Sequence, residues 1–184
     1  MPKLSPRVSW TPELPHPIRT WLDRFECDWH FRRSVARPVR NDSWRWLTDQ
    51  HVMPTGALEA GWSYLLGLWE HSHEISQDLP DAQGAFWHGC LHRQEGDHGN
   101  ASYWFQRVQG SGLLEALAGV MVTSKSADAD GGFPGLLTTS GKYDPSKLWS
   151  FATARDSGSA DDFLWMEWQG AMSWFWREAN SDSP

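Results

Sequence analysis

The chain of 184 residues has very little cysteine, only Cys27 and Cys90. Two thiols make no disulfide framework, which excludes the small stapled secreted scaffolds and points to a reducing compartment. Long apolar runs are absent too. The longest candidate, "GWSYLLGLW" (61–69), falls well short of the roughly 20 residues that cross a bilayer, so no membrane span is expected. The opening "MPKLSPRVSWTPELPHP" carries proline where a signal peptide needs an apolar stretch. No export is expected, and a cytoplasmic location follows.

Basic residues are scarce: 16 Lys and Arg stand against 23 Asp and Glu, for a net charge of −7. The deficit is uneven. Residues 1–50 hold nine basic against six acidic side chains, and residues 51–184 hold seven against seventeen. An acidic body lacks the clustered positive charge that phosphate backbones require, which argues against nucleic acid as a partner. The single basic run, "HFRRSVARPVR" (30–40), reads as a solvated segment lying on that acidic body or as an anion contact. Missing as well are a glycine-rich phosphate cradle, a nucleophile motif and any convincing strand alternation. "DADGG" (128–132) opens like a calcium loop but lacks its later ligands and closing glutamate.

Tryptophan is what the chain has in excess, with 14 residues. They concentrate in "SWRW" (43–46) and "DFLWMEWQGAMSWFW" (162–176). A large flat side chain with one N–H suits cores and interfaces alike, so the surplus is core packing or a homo-oligomer contact through the Trp-rich helices.

Residues 1–16 hold four prolines and read as an extended arm. The rest, 17–180, reads as one all-α domain, a helical bundle or stacked hairpins of about seven helices. Pro17 can open a helix with Ile18, Trp21, Leu22 and Phe25 on one face. Asn41, Asp42 and Ser43 can cap a short second one. From Thr55, the residues Leu58, Trp62, Leu65, Trp69 and His73 recur at helical spacing and predict a single long helix with one stripe. "QDLPDAQG" (77–84) breaks it, a helix follows over about 85–95, and Gly96 and Gly99 precede another behind Asn100. "GLLEALAGVMV" continues the series, 124–142 is loop by composition, Asp144-Pro145 starts a helix, and an aromatic helix closes the chain.

The chemistry gathers in "AFWHGCLHRQEGDHGNASYWFQRV" (85–108). On a helix His88, His92 and Glu95 lie within about 60° of one another, bordering the apolar arc of Trp87, Cys90 and Leu91. Counting back equally from the short turn at 77–84 sets His73 level with His88 on an antiparallel neighbour. Three readings follow. One is a small-ligand or acid–base pocket, with His88, His92 and Glu95 catalytic and His73, Arg93, Asp97, Asn100, Tyr103 and Arg107 contacting the ligand. It needs no cofactor. A second is a divalent metal on His73, His88, His92 and Glu95, since His-x3-His presents two ligands on one helix face. Two Glu-x-x-His pairs, Glu70–His73 and Glu95–His98, have the spacing of di-iron bundles, although Gly96 interrupts the second. In the third, the cluster is a hydrogen-bonded network inside a helical protein-interaction module. After the turn, Tyr103, Trp104 and Val108 are expected to pack inward, with Arg107 reaching back to a carboxylate.

The segment from Ala60 to Val108 resembles a family of uncharacterised bacterial and fungal proteins. It does so through Ser72, His73, Ile75, Ser76 and Gln77; Phe86, Trp87 and His88; His92, Arg93, Glu95 and Asp97; and Asn100, Ala101, Tyr103, Trp104 and Phe105. "YDPSKLW" (143–149) is similar to a further element of that family. The departure is His98, where the family favours an aromatic; this leaves His73, His88, His92 and Glu95 as the set the resemblance implies. It implies residues and no reaction. "GNASYWFQRV" is also similar to the helix starts of tetratricopeptide-type repeats, without a second copy at a fixed period.

Overall fold

A computed structural model describes residues 55–65, 67–123, 143–148, 150 and 157–181. The expected arm, the helices before Thr55, the basic run and the 124–142 loop lie outside the described residues. Those residues contain six α-helices and no β-strand: α1 (Ala57–Leu65), α2 (Trp69–Asp78), α3 (Ala82–Glu95), α4 (His98–Gln106), α5 (Leu113–Thr123) and α6 (Ser157–Asn180). The class is all-α. No helix among them is long and apolar enough to cross a membrane.

They group into two compact units, one holding α1–α4 and the other α5 and α6. In the second unit α6 packs on α5 through Gly170, where an added Cβ would stand 2.7 Å from Leu117. Trp165 and Trp168 stack there with ring centroids 5.2 Å apart, both buried. Tyr143, which precedes a short 3-10 turn (Pro145–Lys147), donates its hydroxyl to buried Glu167 at 2.7 Å.

The first unit corrects one expectation. The stripe from Leu58 to His73 is two helices, not one. Gly67 has φ 73°, a left-handed conformation open to glycine, and its N–H donates to the Tyr64 carbonyl at 3.1 Å. The chain then folds back, so that α2 lies along α1. Ser72 donates its hydroxyl to the Ala60 carbonyl at 2.8 Å, and His71 Nε2 lies 3.1 Å from Glu59 Oε1. The apolar spacing continued across the break because each short helix needs its own buried face.

Two further turns bring the site together. Asp81 caps α3, accepting from the N–H of Gln83 at 2.8 Å and of Gly84 at 3.3 Å, which starts that helix three residues before the expected Ala85. Gly96, at φ 84°, ends it, donating to the Arg93 carbonyl while the next N–H, of Asp97, donates to that of His92. Between these turns, glycine lets the helices touch. A Cβ on Gly84 would fall 2.5 Å from the Ser76 carbonyl oxygen of α2, and one on Gly89 would fall 2.6 Å from the Phe105 ring of α4.

Candidate metal centre

His73 comes from α2, and His88 and His92 come from α3. The short connection at 79–81 makes these helices neighbours, and the equal count from the turn holds: the rings of His73 and His88 meet edge to face with centroids 4.3 Å apart. His88 and His92 stack at 4.9 Å with 18° between their planes, as i, i+4 residues on one face. His73 closes the triangle on His92 at 5.7 Å. One ligand nitrogen from each ring can be chosen so that all three lie within 4.8 Å of one another. Glu95, expected as the fourth member of the set, does not belong to that group, and neither do Glu70 and His98, so the two Glu-x-x-His pairs form no joint site among the described residues.

Burial sets the protonation of the central ring. His88 is 4% exposed. Loss of solvent, with His73 and His92 alongside adding to it, holds its pKa down to about 4. It is therefore neutral at pH 7, the form in which an imidazole is a ligand or a proton acceptor. Its Nδ1 is buried with no hydrogen-bond partner. Buried polar groups are usually paired, so this nitrogen is open to a ligand.

The remaining expected residues take varied positions. Glu95 is half exposed and places Oε2 3.2 Å from His92 Nδ1. Asn100, on the first turn of α4, sets its side-chain amide 3.1 Å from His92 Nε2. Asp97 caps α4, accepting the Asn100 N–H at 3.1 Å, and its side chain meets the site through that residue. Arg93 is buried in the core, its guanidinium 5.5 Å from the Phe105 ring centroid and Nη2 3.7 Å from Cys90 Sγ. That position suits packing and not contact with a dissolved anion. Tyr103 is 54% exposed, against the expectation of inward packing, whereas Val108 is fully buried. Arg107 lies over the Trp104 ring at 5.3 Å, a cation–π contact in place of the expected carboxylate.

Trp104 is the residue that sequence reasoning missed. Its indole lies on the His88 ring, centroids 4.0 Å apart and planes 11° off parallel. Its side chain forms a wall of the histidine cluster, although the pattern gave it only a core role. A signal existed: Gly89, next to His88, lets α4 approach closely enough for the residue before Phe105 to reach the imidazole.

Chemically, three imidazoles from two helices form a donor set for a borderline divalent cation such as zinc, copper, nickel or ferrous iron. Three protein ligands leave a position on such an ion for water or a small molecule. Comparison of the chain with protein-family models, curated proteins and solved structures returns no match.

Proposed function

We propose that the α1–α4 unit binds a divalent transition-metal ion through His73, His88 and His92, and that the protein holds or transforms a small molecule at that ion. The observation that carries this reading is the pairing of proximity with want of partners. Three imidazoles crowd within ligand range of one another, and the most buried has a ring nitrogen bonded to nothing. Such an arrangement strands polar atoms at about 1–3 kcal/mol each, a cost that coordination would reverse. An ion in this position would polarise a bound carbonyl or lower the pKa of a bound water. Glu95, half exposed beside His92, is the acid–base partner within reach.

Elemental analysis of protein purified without an affinity tag, followed by zinc and cobalt titration of the metal-free chain, tests the reading. One equivalent bound by the native chain, and lost in His73→Gln and His92→Gln, is the expected result. If the native chain neither carries nor takes up an ion, and its melting temperature ignores added metal, the cluster is scaffold.

A further inference from the structure

His92 is held differently on its two nitrogens. Nε2 faces the side-chain nitrogen Nδ2 of Asn100 at 3.1 Å, while Nδ1 is buried without a hydrogen-bond partner, as is Nδ1 of His88. Asn100 is not a loose neighbour. Its own N–H is donated to Asp97 Oδ1, and Asp97 in turn donates its N–H to the His92 carbonyl at 2.9 Å. The amide is thus tied back to the residue whose ring it contacts. A half-turn about its last bond offers the ring either an N–H or the carbonyl oxygen at the same place. With Oδ1 toward the ring, it accepts an Nε2–H and leaves the lone pair on Nδ1.

Glu95 supplies a second, independent observation. Its Oε2 stands 3.2 Å from His92 Nδ1, yet the pair is not aligned as a hydrogen bond. The carboxylate therefore takes no hydrogen bond from Nδ1 and leaves that nitrogen open to a ligand, while itself standing outside the group formed by His73, His88 and His92.

On the premise that the cluster holds a metal, we infer that His92 binds it through Nδ1, with Asn100 as the outer-sphere partner accepting Nε2–H and Glu95 beside that nitrogen but outside the donor set. Outer-sphere partners of this kind fix the tautomer and aim the ring, and their loss lowers metal affinity about 10–100-fold. Asn100 is then a positioning residue, acting through His92.

Loading the full chain, labelled with nitrogen-15, with cadmium-113 and reading the couplings to ring nitrogens tests the tautomer directly. Coupling to His92 Nδ1 and not to Nε2 is expected. In parallel, zinc affinity should fall about 10–100-fold in Asn100→Ala and recover in Asn100→Asp, which also accepts. Coupling through Nε2, or tighter zinc binding by Asn100→Ala because the amide had competed for that nitrogen, overturns this inference and leaves the metal reading standing. A lower melting temperature for Asn100→Ala with unchanged zinc affinity overturns it too, assigning the residue to the fold alone. Absence of any zinc or cadmium binding removes both.

Discussion

The imidazole of His88 lies flat against the indole of Trp104, with 4.0 Å between ring centroids and 11° between planes. This contact joins α3 to α4 and gives the histidine cluster an aromatic wall. Stacked rings contribute about 0.5–1.5 kcal/mol beyond the area they bury. It also couples any event at His88 to a fluorophore.

Trp104 should therefore report on the site. Binding of copper or cobalt is expected to quench a fraction of the tryptophan emission, and Trp104→Phe should remove most of that fraction while metal affinity changes little. Emission spectra during titration of the two proteins decide it; equal quenching in both would place the responding indole elsewhere.

His88 illustrates a conflict between stability and binding. A buried imidazole nitrogen without a partner weighs against the folded state, and an apolar side chain of similar size does not carry that burden. His88→Leu should leave the melting temperature of the metal-free protein unchanged or raised, yet lower zinc affinity by at least about 100-fold, with loss of one of three ligands. Calorimetric melting and titration of one preparation give both numbers. A large loss of stability would mean that the imidazole serves the fold.

The depressed pKa of His88 gives the metal-free protein a defined acid sensitivity. The folded-state value is about 4, against 6.5 for an unperturbed imidazole. Between these values the unfolded chain takes up a proton that the folded chain refuses, so stability falls as pH drops from about 6.5 to 4. The full effect is about 3 kcal/mol. Denaturant midpoints across that window should show the slope in the native chain and a shallower one in His88→Leu.

The glycines at the helix contacts predict opposite balances of fold and site. Gly84 sets how near α2 comes to α3, and with it the His73–His88 approach; Gly89 sets α3 against α4. Either glycine to alanine forces a backbone or ring contact below 3 Å and should cost about 1–3 kcal/mol. Only Gly84→Ala moves a histidine-bearing helix away from the other, so its zinc affinity should fall further than that of Gly89→Ala at matched stability. Equal affinities would show that the two helices adjust independently of this contact.

Much of the site was legible because helical periodicity is a local property. His88 and His92 share a face through their i, i+4 spacing, and Asp97 was readable as a cap from its place after Gly96. His73 could be added because a short turn, read from the sequence at 77–84, leaves neighbouring helices little freedom. The break at Gly67 was not legible. Spacing alone cannot tell one continuous stripe from two short helices whose apolar faces happen to stay in phase. Arg93 was misplaced for a related reason: a guanidinium inside a core is stable only through partners such as the Phe105 ring and Cys90, and those come from packing.

By itself the sequence determined that these segments are helical, where most of them begin and end, and which pair of imidazoles one helix presents. Capping residues, glycine turns and side-chain periodicity act within a few residues and need no distant contact. Tertiary structure decided the rest: that α2 doubles back on α1, that Trp104 covers His88, and that Asn100 and Glu95 take opposite nitrogens of His92. Each of these depends on how closely two helices approach, and that distance is set by glycines and buried serines meeting surfaces far from them along the chain.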